Sequence, residues 1–509
     1  MSKFKNFIIN HFNLSVFLIF TVVIFSLYGI SLSFDYTYYD DDVLILDKQE
    51  YLTFSNIKNI VSNTVFGEGM DVFCRPILNI TFLFEKYFYG IRPFGYHLTN
   101  LILHLFAVFS IFLFLTLRYD KKKTLLLCLL FACHPALVQT VAWIPGRNDS
   151  LLTLFIMLSC YNFIEFINKN KYHFLFLHLI CFSLSLLTKE TAIIMPIFYF
   201  FFLVLQKQNL KKYFIYPIIW SLIILLYLLY RGFVLSYQIN SITFKSLIIN
   251  FFNSLPALTK YIANVFFPLK LSIFPAMLDV NYLLCVASIL MFVLMFIKLK
   301  KYNVKFVLFG IFWFLLLLFP TFLMPNNQFY DHRIYLPLIG VLILLLELLK
   351  EYMNLKKILY CSLMFFIIFS CILLFYEQKF QNKEVFWINA LISSPESDVA
   401  NAMVAELFFE KGLYKEAEKR YLKAISLKEH SKHYVNLSVV YAKEGNLDDA
   451  EKALLKSLSL SGDNPNTYYN LSLIYKYKGN MEKYEEMKNK YIEIFNKTNK
   501  ISKVDLTGL

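Results

Sequence analysis

The sequence predicts an all-α protein: a polytopic bundle of about eleven membrane-spanning helices, followed by a short solenoid of α-helical repeats. Hydrophobic residues make up 58% of the 509 residues and charged residues only 17%, which leaves too little polar surface for a soluble protein of this length. Apolar stretches of about 20 residues, the length that crosses a bilayer, recur over the first three quarters of the chain. Beyond residue 378 the composition turns polar, and a motif returns at a spacing of about 34 residues.

The predicted spans share high hydropathy and a length close to the thickness of the hydrocarbon core. We place them at 12–32, 98–117, 124–143, 149–167, 172–187, 190–206, 213–230, 281–297, 306–324, 334–349 and 358–376. Residues 247–280 are apolar too, but Pro256, Pro268 and Pro275 favour a broken helix that starts and ends on the same side of the bilayer.

The distribution of positive charge predicts the orientation. The net charge is +14. Residues 381–509 hold 19 Lys and Arg against 18 Asp and Glu, so 31 bases and 18 acids, or +13, fall in residues 1–380. Short loops rich in Lys and Arg are typical of the cytoplasmic side. The loop at 33–97 and the repeats are then extracytoplasmic, and the basic excess reflects membrane topology rather than a nucleic-acid partner.

Two domains follow from this pattern, a membrane domain over 1–378 and about three repeats over 390–500. The repeat motif contains a glycine at each turn, Gly412, Gly445 and Gly479, where a left-handed backbone conformation favours glycine. The spacing is typical of tetratricopeptide repeats. Such a solenoid offers a groove for a peptide or protein, and the alternative is a spacer or assembly domain.

Acidic residues open the first long loop. Asp40, Asp41 and Asp42 are adjacent, and mutual repulsion is expected to raise the pKa of at least one carboxyl group. A carboxylate with a raised pKa is a suitable general base. The alternatives are a solvated acidic loop or a cation site.

Histidines lie inside or beside the apolar segments. On a helix, His97, Asn100 and His104 fall on one face, where they either line a site or form hydrogen bonds between helices. His134 precedes Pro135 in an apolar run, and a buried histidine of this kind is typically part of the core.

Four cations lie far apart in the sequence but on one side of the predicted topology: Arg75, Arg147, Lys189 and Arg333. Three of them, Arg147, Lys189 and Arg333, have an acidic residue close by in the sequence. Arg147 and Asp149 form either a structural pair or a phosphate site, and Lys189 with Glu190 forms either a hairpin clamp or an anion site. Asp331 and His332 precede Arg333. Cations bind a phosphate and carboxylates act on a hydroxyl, so the set favours transfer from a phosphate-linked donor at the outer membrane face.

Several of these stretches occur in the order found in a known family. They are Asp41–Val43, Arg75–Leu78, Tyr96–Asn100, Phe131–Pro135, Val141–Asp149, Leu187–Glu190 and Asp331–Pro337. At these residues the chain resembles the GT-C superfamily of lipid-phosphosugar-dependent glycosyltransferases. It most resembles the transmembrane and tetratricopeptide-repeat O-mannosyltransferases and their bacterial relatives.

The resemblance implies a membrane enzyme that moves a sugar from a polyprenyl- or dolichyl-phosphate donor to an acceptor hydroxyl, for example on a protein held by the repeats. It implies Asp41 or Asp42 as the base, and Arg75, Arg147, Lys189 and Arg333 as ligands of the donor phosphate. His97, His134, Asp149 and Asp331 are expected to support the site. No dedicated metal or other cofactor is implied, and a divalent ion is left open. By analogy the protein resides in a bacterial inner membrane, with its catalytic loops and repeats outside the cytoplasm.

Two other functions remain open from the residues. One is a non-catalytic, membrane-anchored repeat scaffold for envelope assembly. The other is a ligase or polymerase that uses a glycan linked to a lipid diphosphate.

Overall fold

The computed structural model describes residues 12–66, 73–206, 208, 210–235, 244–274, 282–298, 302–323, 329–351, 355–462 and 464–501. The chain divides into two compact units between Phe386 and Trp387. We call them the membrane unit and the repeat unit. All regular elements of the described residues are helices, so the predicted all-α class is confirmed.

Up to residue 377, the described part of the membrane unit contains seventeen α-helices. They are α1 (Phe12–Tyr28), α2 (Ile57–Ser62), α3 (Pro76–Tyr89), α4 (Pro93–Thr116), α5 (Lys121–Ala132), α6 (Val138–Ala142), α7 (Asn148–Lys169), α8 (Tyr172–Leu186), α9 (Met195–Leu205), α10 (Leu210–Tyr213), α11 (Ile215–Val234), α12 (Phe244–Ser254), α13 (Ala257–Phe266), α14 (Tyr282–Lys298), α15 (Val304–Phe322), α16 (Leu338–Leu349) and α17 (Leu355–Glu377). Short 3-10 turns follow α1 and lie at the starts of α6, α7 and α9 and just ahead of α16.

Six of the described helical segments are long and apolar enough to cross a membrane: Phe12–Ser33, Pro93–Thr116, Ile144–Lys169, Lys211–Val234, Val304–Phe322 and Leu355–Phe380. A seventh span is possible if α5 and the segment Pro135–Ala142, which meet at a 55° bend, count as one. Four shorter apolar helices lie at the remaining predicted spans. The helices coincide with the predicted segments, while the count of eleven crossings is not confirmed.

Proline shapes two interruptions close to the site described below. The bend after α5 lies at His134 and Pro135, because proline cannot donate the backbone hydrogen bond that would continue the helix. The apolar stretch at 247–280 is broken as predicted: α12 ends at Ser254, and α13 begins after Pro256. Residues 275–281, with Pro275, lie outside the described part of the chain.

Helices α15 and α16 pack closely through two glycines. A Cβ atom at Gly310 would lie 2.5 Å from the carbonyl oxygen of Gly340, a distance that side-chain carbons do not tolerate. The close contact fixes the two helices and therefore the ends of the segment between them, whose residues 329–337 contribute to the site.

The repeat unit consists of helices that pair as antiparallel hairpins. After α18 (Lys383–Ser393), which crosses the boundary, they are α19 (Asp398–Glu410), α20 (Tyr414–Leu427), α21 (Ser431–Lys443), α22 (Leu447–Ser461), α23 (Pro465–Tyr477) and α24 (Met481–Ile501). Gly412, Gly445 and Gly479 lie at the three turns with φ angles of 75°, 82° and 75°, which confirms the predicted left-handed conformation. Ala417, Ala424 and Ala450 are buried between helices, where small side chains allow close packing.

Candidate active site

The acidic run forms a strained turn held by aromatic rings. Tyr38 and Asp40 both have positive φ angles, 53° and 62°, which non-glycine residues adopt at a cost. The turn is fixed through Tyr39, whose ring stacks on Trp143 with centroids 5.6 Å apart. The Trp143 Nε1–H donates to the Tyr39 carbonyl oxygen at 3.2 Å, and the hydroxyls of Tyr39 and Tyr330 are 3.1 Å apart. The acidic run is thereby tied to two sequence-distant segments.

Asp41 is buried at the end of this turn. Its Oδ2 accepts hydrogen bonds from the backbone N–H and the hydroxyl of Thr37, at 2.7 and 2.6 Å. Its Oδ1 has no hydrogen-bond partner among the described residues. Burial raises the pKa of Asp41 to about 7, and the charge of Asp42 adds a smaller increase. The predicted direction is therefore correct, but desolvation rather than repulsion between carboxylates is the main cause. Asp42 is only partly buried and begins a short π-helical turn, Asp42–Leu46.

Two ion pairs lie at the junction between α8 and α9. The Arg75 guanidinium contacts Glu190 at 3.2 Å, and the Lys189 ammonium contacts Asp149 at 2.6 Å. Asp149 lies in the first turn of α7. Lys189 and Glu190 therefore do not pair with each other as a clamp, since each binds a partner from another segment.

Arg333 adds a third cation to these pairs. Its charge and that of Arg75 both act on Lys189, and its guanidinium lies 5.4 Å from the Tyr330 ring centroid. It has no ion pair among the described residues. Burial lowers the pKa of the adjacent His332 to about 3, so His332 is neutral although its Nε2 lies 3.7 Å from Asp149. Among Arg75, Lys189, Arg333, Asp149 and Glu190 there is one excess positive charge, which Arg333 carries. The Asp40 carboxylate, whose charge acts with that of Arg333 on Tyr39 and Tyr330, lies outside this set. We call Arg75, Asp149, Lys189, Glu190 and Arg333 the charged cluster.

A buried network holds the segment that contributes Arg333. Asp331 binds the Lys260 ammonium at 3.0 Å, the Asn264 side-chain amide at 2.7 Å and the backbone N–H of Ser272 at 2.9 Å. Lys260 and Asn264 lie on α13. Asp331 thus attaches α13 to the segment that contributes Arg333.

Arg147 is not part of the charged cluster. It is fully buried and forms an ion pair with Glu85. It also donates to the carbonyl oxygens of Tyr96 at 2.9 Å and Ile144 at 3.2 Å. The structure therefore does not support the expectation that Arg147 binds the donor phosphate, because protein groups already satisfy its guanidinium. The alternative pairing with Asp149 is also wrong, since Asp149 binds Lys189.

The histidines expected near the site are buried. His104 and Asn100 form hydrogen bonds between segments, His104 with the Tyr335 hydroxyl at 2.6 Å and Asn100 with the Trp143 carbonyl at 3.0 Å. His134 caps the turn before α6 and lies 3.3 Å from the Val265 carbonyl oxygen, as a core histidine does. His97 lies edge-on to Phe34, with ring centroids 6.2 Å apart. Their positions favour packing roles over direct chemistry.

An apolar cavity of about 410 Å³ runs along the helices next to this region. One end contains His134, Val265 and Leu338, beside Asn264 and the Asp331 network. The other end contains Lys298 and Leu349. Since α16 spans twelve residues and a helix rises 1.5 Å per residue, the cavity is long enough for several carbon units of an extended chain.

Sequence reasoning missed Glu85, Lys260 and Tyr39. Glu85 and Lys260 lie in amphipathic helices, and a single charge in such a helix resembles an ordinary solvated residue. Their hydrophobic flanks were the only available signal. No group of three or more His, Cys, Asp or Glu side chains in the described part of the chain could hold a metal ion.

The fold and the site define the class of protein. It is an integral membrane protein with a buried acid and a charged cluster between helices, followed by tetratricopeptide repeats. Comparison with known families agrees. Residues 82–230 match the family model of dolichyl-phosphate-mannose-protein mannosyltransferases, and residues 432–464 match a tetratricopeptide repeat.

Individual relatives show which members of this family the chain resembles. The chain is 30% identical over 161 residues to the Protein O-mannosyl-transferase Tmtc1 of Drosophila melanogaster, a match that covers 30% of this chain and 19% of the relative. It is 32% identical over 157 residues to the human Protein O-mannosyl-transferase TMTC2, covering 29% and 18%. With human TMTC4 it is 38% identical over 101 residues, covering 17% and 14%. The predicted resemblance to the transmembrane and tetratricopeptide-repeat O-mannosyltransferases is confirmed. The matches span less than a fifth of the length of these relatives.

Proposed function

We propose that the protein is an integral membrane glycosyltransferase that moves a sugar from a polyprenyl- or dolichyl-phosphate donor to an acceptor hydroxyl. One observation carries the proposal: the charged cluster has one excess positive charge, contributed by Arg333. A phosphodiester has one negative charge, so the cluster and the donor phosphate are complementary.

The cluster suits the developing charge of the reaction. The acceptor oxygen attacks the anomeric carbon, the bond from this carbon to the phosphate oxygen breaks, and the polyprenyl phosphate leaves with the electron pair. Arg333, Lys189 and Arg75 stabilise the leaving phosphate as its charge grows. Arg333 contributes most, because the other two share their charge with carboxylates.

Asp41 is the proposed base. With a pKa near 7, it is partly ionised at neutral pH and accepts the proton of the hydroxyl. The Thr37 hydrogen bonds occupy Oδ2, so Oδ1, which is buried in this structure, is the oxygen that receives the proton once the turn admits the acceptor. Asp42, which is only partly buried, is the alternative base.

The apolar cavity supports a polyprenyl tail. Its lining is almost entirely apolar. The end that contains His134, Val265 and Leu338 adjoins the network of Asp331, which leads to Arg333. A chain in this cavity would bring its phosphate toward the cluster. The names of the relatives further suggest mannose as the sugar and protein hydroxyls as acceptors, with the repeats as a place for the acceptor. Reaction on the extracytoplasmic face of a bacterial inner membrane is also part of the proposal, as is chemistry without a dedicated metal.

The test is sugar transfer by the purified full chain from polyprenyl-phosphate mannose to a Ser/Thr-containing acceptor. We expect Asp41→Asn to lower the rate by at least about 100-fold, and Arg333→Met to lower it by about 100-fold. Asp35→Asn is the matched control, because Asp35 is an exposed acid of the same loop.

Equal rates for wild type, Asp41→Asn and Asp42→Asn would contradict the catalytic assignment and favour the scaffold. Transfer only from a lipid-diphosphate glycan would favour the ligase.

A further inference from the structure

A second cavity, of about 460 Å³, lies at the opposite end of the membrane unit. Helix α4 begins near Tyr96, which binds Arg147, and ends at Thr116, just before the cavity residue Arg118. Its 24 residues correspond to about 36 Å. Helix α7 runs the same way, from Asp149 to the cavity residue Asn168. The cavity is therefore separate from the proposed active site.

The cavity combines an apolar floor with a polar rim. Phe114, Phe202 and Phe309 line the floor and are buried. The rim contains Arg118 and the side chains of Asn168, Gln206 and Gln208. Arginine and amide groups donate hydrogen bonds to phosphate oxygens.

Arg118 is held in place but remains accessible. Its guanidinium binds Glu347 at 3.2 Å and stacks on Phe306, with 3.4 Å from the central carbon to the ring centroid. Glu347 is almost fully buried, whereas 34% of the Arg118 side chain is exposed. Glu347 also accepts a hydrogen bond from the Asn303 backbone N–H. The carboxylate thus anchors the arginine, and the exposed side of the guanidinium faces the cavity.

The surroundings add positive charge. Lys121, Lys122, Lys171 and Lys305 lie exposed on the same helix ends, where Lys169 is paired with Glu165. Basic pockets between membrane helices on the Lys- and Arg-rich side are typical sites for anionic lipid head groups.

We propose that this cavity binds the phosphate head group of an anionic phospholipid, with Arg118 and the rim amides as its ligands. The apolar floor receives the start of an acyl chain. The site stabilises the membrane unit from the end opposite to the charged cluster.

Native mass spectrometry of the purified full chain tests the proposal, with phosphatidylglycerol, phosphatidylcholine and inorganic phosphate as separate probes. We expect phosphatidylglycerol to be retained at least about ten-fold more than phosphatidylcholine. It should also raise the thermal unfolding midpoint.

The decisive variant is the double substitution Arg118→Gln/Glu347→Gln, which removes the cation without leaving a buried carboxylate unpaired. It should lose the ten-fold preference. Gln206→Leu should lose several-fold, as a check that does not touch the ion pair. Lys58→Gln removes an exposed cation of α2, whose Ile60 packs with Tyr96 at the other end of α4, and should change nothing.

Three results would overturn the proposal. They are equal retention of the two lipids by wild type, an equal loss in Lys58→Gln, and a stabilisation by inorganic phosphate as large as that by phosphatidylglycerol. The last result would identify a free phosphate rather than a lipid as the ligand. None of these readouts depends on sugar transfer, so the inference stands or falls independently of the proposed enzyme.

Discussion

The membrane unit and the repeat unit both contain ion pairs between a cation and a glutamate, but the pairs differ in their exposure to solvent. In the membrane unit, the Arg147 side chain is 0% exposed and its partner Glu85 5%. In the repeat unit, Lys423 and Glu396 are 41% and 45% exposed. Removing one partner of a buried pair leaves an unpaired charge without water, while an exposed charge is hydrated at once. The comparison indicates that charges specify the arrangement of helices in the membrane unit, whereas packing of small and aromatic side chains does so in the repeats.

Breaking the buried pair should have the largest effect on stability. Glu85→Gln leaves Arg147 charged and buried, so we expect a loss of about 3–5 kcal/mol, seen as a large fall in the thermal unfolding midpoint in detergent. The double variant Glu85→Leu/Arg147→Met removes both charges and should recover most of the loss. A single variant as stable as wild type would show that the pair does not organise these helices.

The pH dependence should separate a buried acid from exposed ones. Below pH 7 the rate of transfer should fall about ten-fold per pH unit, because Asp41 becomes protonated near its pKa of about 7. Its folded pKa is raised above the ordinary value of 3.8. The folded state therefore binds a proton that the unfolded state has lost, and stability falls as pH rises from about 4 to about 7.

Asp41→Asn should remove this part of the stability profile as well as the activity. In the repeat unit the sign is reversed: the nearby His433, whose Nε2 lies 3.8 Å from the carboxylate, lowers the pKa of Asp398. Asp398→Asn should then reduce stability most above pH 4. A transfer rate that stays flat from pH 5 to pH 8 would exclude Asp41 as the base.

A substitution at a turn glycine tests how much the left-handed backbone conformation contributes to the stability of the repeats. Gly445 has a φ angle of 82° and open space around its Cα, so Gly445→Ala should cost about 1 kcal/mol through backbone strain alone. Urea unfolding of the full chain, followed by a probe in the repeats, measures it. Lys443→Ala, on the exposed surface of α21, should be close to neutral. A neutral Gly445→Ala would mean that the turn can relax.

The smallest effect is expected for an exposed pair. Lys423→Met should change the free energy of unfolding by less than about 1 kcal/mol, measured in the same urea experiment at low and at high salt. A loss comparable to that of Glu85→Gln would remove the contrast between the two units.

Much of the fold was predictable because its signals are local. Apolar stretches gave the positions of the membrane helices, and the spacing of Gly412, Gly445 and Gly479 gave the repeats. The number of crossings was harder to predict. Helices α8 and α16 are shorter than a typical membrane span, and their placement depends on neighbouring helices.

The sequence predicted which charged residues belong to the site, but not which of them form ion pairs with each other. The residues Arg75, Lys189, Asp149 and Arg333 were recognised, yet the sequence suggested partners close in the chain. In the structure Arg75 binds Glu190, 115 residues away, and Arg147 binds Glu85, 62 residues away. Neighbours in sequence point to different sides of a turn or helix, so nearest carboxylates are poor guides to ion pairs.

The sequence by itself determined where the apolar helices lie, where the repeats turn, and which few ionisable residues lie among apolar ones, because hydropathy and backbone conformation act over a few residues. Only the tertiary structure decided which cation is left without a carboxylate. Charge balance depends on all the groups that helix packing brings together, and through it Arg333 rather than Arg147 is the cation without an ion pair among the described residues.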